Sequence, residues 1–440
     1  MTGPTIVELD EYAARRARLM QAMGPDGIAA IPAAREVIRN RDVHYRFRQD
    51  SDFRYLTGFP EPDAIAVLAP GRPDGEYLLF VRPRDPAREI WDGYRAGPEG
   101  AQKRYRADQG LPVSALAGML PGLLGGRSRI YYTLGEHPEF DPQLTACVRE
   151  IREVSRRGAS APVEFVALET TLHEQRLIKT QAEIDLLAHA GKVSARAHVR
   201  AMKFARPGAW EYQLAAEIHH EFELEGMEPG YRSIVGTGAN ACVLHYVEND
   251  QPLKDGDLVL VDAGGEHKGY TADITRCFPA NGRFSGPQKA VYEVVLAAQK
   301  AATAELRVGN PSSKPHEVAT RVLTEGMVSI GLLKGNVDKL IKEEKFKAFF
   351  MHGTGHWLGM DVHDVGRYKL SGEARPFAPG MVMTVEPGLY VAPGTAGADE
   401  KFWGIGVRIE DDVLVTDQGP RVLTGDVPKE VGEIETLMRQ

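Results

Sequence analysis

Apolar positions recur at helical spacing over residues 8–23, and the chain then turns to short apolar runs: GIAAIPA (27–33), AIAVLAP (64–70), EYLLFVRP (76–83) and RIYYTL (129–134). Runs this short, bounded by proline and glycine, predict strands, and the helical stretches between them predict a mixed α/β domain. SRRGASAPVE (155–164) combines charge, small residues and a proline, so the chain is expected to divide within 155–176. Beyond it, long amphipathic patterns over 180–204 and 210–226 lead into strands; a second round follows, with helices near 286–306 and 315–331 and then further strands. Two helices followed by paired strands, twice over, suggest an internal repeat enclosing a site between its halves. PGAWEYQLAAEI (207–218) and PSSKPHEVATRV (311–322) are faintly alike, as such a repeat requires. The expected fold class is α/β (α+β), with domains at 1–172 and 173–440.

Composition narrows the class without changing it. A chain of 440 residues with 43% hydrophobic content can bury large cores, and its length suggests two to three domains. No apolar run approaches the roughly eighteen residues of a membrane span, and the N-terminus lacks an uninterrupted apolar signal core. Cys147, Cys242 and Cys277 are odd in number and widely spaced, which disfavours a disulfide framework. A net charge of −8 argues against a dominant nucleic-acid role. The expectation is a cytoplasmic protein with neither nucleic-acid nor membrane partners.

The candidate chemistry is acidic. LVLVDAGG (258–265) reads as a strand ending in Asp262, and YTADITRCF (270–278) as a second strand carrying Asp273, so a hairpin would bring the two acids together. Glu386 ends the run MVMTVEPG, where Pro387 and Gly388 stop the strand, and Arg408 and Glu410 sit two apart in IGVRIEDDVLV (405–415), hence on one strand face. His356 lies in the glycine-punctuated stretch FFMHGTGHWLGMDVHDVG with His352 and His363. Any one of these residues alone reads as a solvated loop group. Together, several acids on apolar strands need cations to be tolerated when buried. Asp262, Asp273, His356, Glu386 and Glu410 are too many for one Zn²⁺ and suit two divalent cations flanking a bridging hydroxide. Competing motifs fail: GTGANA (236–241) opens no helix and reads as a turn, there is no G-x-S-x-G, and Cys242 and Cys277 read as small buried residues.

VDAGGEHKGYTADITR, MHGTGHWLGMDVHDVG, MTVEPGLY and GIGVRIED resemble, in order and spacing, the signatures of the pita-bread metallopeptidases, a family that includes methionine aminopeptidases, prolidases and aminopeptidases P. The nearest resemblance is to bacterial aminopeptidase P, because RQDSDFRYLTGFPEPDA (48–64) resembles part of that group's N-terminal domain. It implies a C-terminal pita-bread (creatinase/aminopeptidase) domain and release of the N-terminal residue from peptides with proline second, by attack of a metal-bridged hydroxide. Proline's missing N–H and fixed φ make that bond a poor substrate for general peptidases, which explains a dedicated enzyme.

The resemblance also implies roles. Asp262 would serve one cation, His356 and Glu386 the other, with Asp273 and Glu410 bridging; Glu386 would also take a proton from the attacking water. His245 and His363 would contact substrate, and His352 would line the proline pocket. Arg408 would orient the acids and bind substrate, and Tyr231 and Tyr368 would shape the pocket or support the ligands from behind. Trp91, in EIWDGYR, resembles a tryptophan that reaches a neighbouring subunit's site, so a homo-oligomer (dimer or tetramer) is expected. The branch is most often manganese-dependent, and oxygen-rich ligation suits Mn²⁺, with Co²⁺, Zn²⁺ and Fe²⁺ also compatible. The alternatives are a prolidase confined to Xaa-Pro dipeptides, a creatinase-like hydrolase, and a non-enzymatic binding protein on the same scaffold. The complete ligand set and the lack of a basic tail disfavour the last two.

Overall fold

The computed structural model describes residues 6–440 apart from Ser155 and Arg157. The chain separates into two compact units, Met1–Gln175 and Arg176–Gln440. The first is a six-stranded sheet in the order Gln109–Pro112, Tyr77–Val81, Ile65–Leu68, Gly27–Pro32, Arg129–Tyr131, Glu164–Val166. Ile65–Leu68 runs antiparallel to both neighbours and the remaining pairs are parallel. Every residue of Gly27–Pro32 and Tyr77–Val81 is buried, as continuous apolar runs in a covered sheet require. Ile28, Val67, Leu78, Phe80 and Ile130 pack there against Leu120 and Leu124 of the helix Leu116–Leu124 and Leu144 and Val148 of the helix Asp141–Glu153. All four expected strands of this unit form, and the expected first helix runs Ile6–Met23.

The second unit contains the doubled pattern. Helices Gln181–Phe204 and Glu211–Leu224 precede a sheet of Ile234–Thr237, Leu258–Asp262 and Thr275–Pro279; helices Gly286–Thr303 and Lys314–Ile330 precede a sheet of Val382–Val385, Asp411–Thr416 and Gly419–Val422. Local chemistry marks the boundaries. Ser285 and Gln288 cap one helix reciprocally, the Ser285 N–H donating to Gln288 Oε1 at 2.9 Å and the Gln288 N–H to Ser285 Oγ at 3.4 Å. Thr180 and Glu183 do the same for Gln181–Phe204. No described helix is long and apolar enough to cross a membrane.

Two expected strands are broken, each at a predicted ligand. The run 270–278 forms Tyr270–Thr271 and Thr275–Pro279, leaving Asp273 between them. The hairpin partner is nonetheless right, since Asp262 pairs with Thr275 in the antiparallel ladder. Asp273 leaves the ladder because its N–H donates to Asp412 Oδ2 at 3.1 Å. Likewise 405–415 forms Ile405–Arg408 and Asp411–Thr416, so Arg408 and Glu410 do not share a strand. Ile405–Arg408 pairs with Gly388–Val391, whereas Asp411–Thr416 changes sheet to pair with Val382–Val385, and Glu410 sits at the crossing. Pro387 and Gly388 end one strand as expected, but the next begins at Gly388.

Candidate metal centre

These breaks place the acids around one cavity of about 280 Å³, lined by His245, Asp262, Asp273, His352, His356, His363, Glu386, Arg408 and Glu410 together with Leu244, Gly353 and Gly355. The Asp262 and Asp273 carboxylates come from the first half of the unit, Glu386 and Glu410 from the second. His356 arrives on the glycine-rich segment, which lies directly on the strand Val382–Val385. A Cβ on Gly355 would come within 1.9 Å of the Thr384 carbonyl oxygen. Glycine permits that approach, and the His356 N–H then bonds Thr384 Oγ1 at 3.0 Å.

Ligand atoms of Asp273, His356 and Glu410 all lie within 4.8 Å of one another. His356 Nδ1 is 3.0 Å from the Trp357 carbonyl oxygen, which can only accept, so Nδ1 carries the proton. Nε2 then faces Asp273 Oδ2 at 3.5 Å and Glu386 Oε1 at 3.6 Å and is the nitrogen through which the ring would bind a cation. Arg408 donates from Nη2 to Asp262 Oδ2 (2.5 Å), from Nε to Thr275 Oγ1 (3.0 Å) and from Nη1 to the Tyr390 hydroxyl (3.1 Å). The Thr275 hydroxyl donates to Glu410 Oε2 at 2.6 Å, and the Tyr231 hydroxyl bonds Asp262 Oδ1 at 2.6 Å and also meets Asp273.

The electrostatics describe acids in want of cations. Burial, with Asp273 and Asp262 nearby, lifts Glu386 to about 7 despite His356 and Arg408. Glu410 is raised well above the carboxylate range by burial and by Asp273, Glu386 and Asp262, and Asp273 is raised by burial and Asp262. Burial opposes a charged His356, yet Asp273 and Glu386 outweigh it and lift the imidazole to about 9. With no cation, this cluster is eased by taking up protons. A donor set of four carboxylates and an open imidazole nitrogen therefore fits divalent metal ions.

His352 is the opposite case. Its Nδ1 lies 2.7 Å from the Gly353 carbonyl oxygen and must donate, so Nε2 accepts from the Tyr390 hydroxyl at 2.8 Å. Burial, then the Arg408 charge, holds this ring down to about 4, so it is neutral at physiological pH. His363 is also lowered by burial and by His356, whose ring centroid is 4.3 Å away.

Not every predicted residue reaches the cavity. Tyr368 is absent from its lining; its hydroxyl accepts from the Trp357 N–H at 2.7 Å and its ring stacks on Trp357, so it braces the His356 segment from behind. Trp91 lies in the first unit at the end of the helix Pro86–Asp92 and is 83% exposed. Cys277 is buried, its thiol pushed up to about 12, and it accepts from the Arg408 N–H, which is packing chemistry. Sequence reasoning passed over Tyr390, Thr275 and Asp412. Thr275 was legible, since it shares the Asp273 face, whereas Tyr390 was given no role and Asp412 fell inside the single strand expected over 405–415.

Residues 185–417 match metallopeptidase family M24, and residues 12–131 match the aminopeptidase P N-terminal domain. The chain is 44% identical to the Xaa-Pro aminopeptidase of Escherichia coli K12, over 98% of each protein. Among solved structures it resembles Pseudomonas aeruginosa aminopeptidase PepP, at 56% identity with a TM-score of 0.97 over 98% of both chains. It also resembles zinc-substituted Escherichia coli aminopeptidase P in complex with product, at 43% identity with a TM-score of 0.95 over 100% of this chain and 99% of that one. Sequence motifs, two-unit fold and acidic centre agree: the chain belongs to metallopeptidase family M24, in the aminopeptidase P group, the metallo-exopeptidases that release an N-terminal residue preceding proline.

Proposed function

We propose that this chain cleaves Xaa-Pro bonds at peptide N-termini with two divalent cations, probed first as Mn²⁺, held by Asp262, Asp273, His356, Glu386 and Glu410. The observation that carries the reading is the convergence of all five on one cavity together with three histidines and Arg408. When bound, the cations would lower the pKa of a shared water and polarise the scissile carbonyl. Their charge offsets the repulsion that otherwise protonates Glu386 and Glu410.

The remaining residues hold, orient and move protons. Glu386 accepts the proton of the attacking water, its carboxylate lining the cavity in which that water would be held. Arg408 fixes Asp262, and the Tyr231 hydroxyl fixes Asp262 and Asp273. His245 and His363 bind the substrate around the reacting carbonyl. Neutral His352, held by Tyr390, gives the proline ring a wall with no charge to desolvate. Tyr368 acts by bracing the His356 segment from behind.

The functional domains are assigned as 1–172 and 173–440, and the compartment as the cytoplasm. Homo-oligomerisation through the first unit is supported by Ile90, Trp91 and Tyr94, exposed at 81%, 83% and 79%, which form an apolar surface that a second copy would cover. The deciding experiment is hydrolysis of Xaa-Pro-Xaa tripeptides, with Xaa-Ala-Xaa controls, by protein stripped of metal and then given Mn²⁺. Restoration confined to the proline series supports the proposal, and equal cleavage of both series overturns it.

A further inference from the structure

His363 reaches the cavity on a segment with no regular structure of its own, and among the described residues its ring makes no hydrogen bond. The backbone must therefore aim it. The next residue is anchored hard: the Asp364 side chain is 1% exposed and meets two buried cations, Lys179 Nζ donating to Oδ2 at 2.8 Å and Arg176 Nη2 to Oδ1 at 2.7 Å. Arg176 Nη2 also holds Asp361 Oδ2 at 2.7 Å, so the acids on either side of Val362 and His363 share one guanidinium. The Asp364 N–H donates to the Trp357 carbonyl at 2.9 Å, closing the segment back onto the residue after His356. A Cβ on Gly359 would come within 2.2 Å of Asp364 Oδ2, which shows how tightly the carboxylate is enclosed.

The anchor is tied to the metal-ligand segments as well. The Gly359 carbonyl accepts from the Thr271 N–H at 3.0 Å, two residues before Asp273, and the Lys179 N–H donates to the Gly380 carbonyl at 2.9 Å ahead of the strand that leads to Glu386. Two cations and two carboxylates balance in charge. Against the cost of burial, Lys179 and Arg176 keep Asp364 below the usual carboxylate range, so the cluster stays ionised.

We propose that Lys179 and Arg176, acting through Asp364, are positioning residues for His363, fixing where its imidazole stands against the substrate. The inference rests on the reading of His363 as a substrate contact. Neither cation enters the cavity, so the effect is exerted wholly through the segment 361–364.

The test is a double-mutant cycle on the Mn²⁺-loaded full chain with a proline-second tripeptide, comparing K179M, K179Q, H363A and K179M/H363A, with metal content measured for each. K179M should lower kcat on the order of tenfold with metal content unchanged. K179Q, whose amide still donates to Asp364, should recover most of the loss. In the H363A background, K179M should cost no more than about twofold further, because the residue it positions is gone. Equal losses in both backgrounds, or a folded, metal-loaded K179M with full kcat, overturn the proposal. If K179M does not fold, R176Q, which removes the other cation from Asp364, is taken through the same cycle with H363A and judged by the same criterion of shared against independent loss. Full activity in H363A would show that the reading of His363 itself has failed, independently of the anchor.

Discussion

One proton on His356 decides what its other nitrogen can do, and the Trp357 carbonyl makes that choice. The same logic separates the acids. Glu386→Gln keeps size and loses both charge and basicity, so kcat should fall about a hundredfold or more even where metal remains bound, measured by steady-state kinetics beside metal analysis. His245→Ala should behave differently: activity falls while about two ions per chain stay bound. Loss of metal in that variant would move His245 into the ligand set. Glu386 also sets a pH dependence for the metal-free protein. Its carboxyl is raised from 4.5 to about 7, so between those values the folded chain keeps a proton that the unfolded chain has released. Stability of the stripped protein should then fall as pH rises through this window, and saturating Mn²⁺ should remove the trend. Thermal melts at pH 5 and 7, with and without cation, measure it.

At the level of elements, the strand breaks carry the site. A regular strand through 270–278 would send the Asp273 N–H to a neighbouring strand, and one through 405–415 would hold Glu410 in a single sheet. Instead Asp412 captures the first and a change of sheet frees the second. Alternation in the sequence located the acids but could not show the breaks, because the first depends on Asp412, more than a hundred residues from Asp273, and the second on which of two sheets each half of the run joins. Helix limits were legible for the converse reason: Ser285 with Gln288 and Thr180 with Glu183 are local. Which of its two expected roles Tyr368 takes was not legible, because a tyrosine beside a site motif looks the same whether it faces the cavity or the back of the segment. The crossing itself is secured by Arg276, fully buried, which donates to the Glu410 carbonyl at 2.6 Å and to Asp411 Oδ1 at 2.6 Å. Asp411→Asn should cost about 3 kcal/mol in urea unfolding, since it leaves that guanidinium buried without its counter-charge.

For the whole molecule the choice lies between an aminopeptidase and a dipeptidase. A dipeptidase needs basic groups to grip the free carboxylate after proline, and the cations lining this cavity reduce to Arg408, which is already committed to Asp262. Tripeptides and longer peptides with proline second should be cleaved faster than Xaa-Pro dipeptides. Cleavage of dipeptides alone under saturating Mn²⁺ would reassign the chain as a prolidase. Treatment with a chelator should abolish activity in either case, and Mn²⁺ should restore it. The order of the ligands along the chain adds a point about biosynthesis. Asp262 and Asp273 leave the ribosome long before Glu410, and Arg408, the one fixed positive charge facing the cluster, emerges beside Glu410. Until the strand Ile405–Arg408 docks on Gly388–Val391, a nascent chain holds acids with neither counter-charge nor a complete cation site. The complete cation site therefore exists only once that strand has docked, and a chain arrested before residue 405 should hold cations more weakly than the full chain, as equilibrium dialysis would measure.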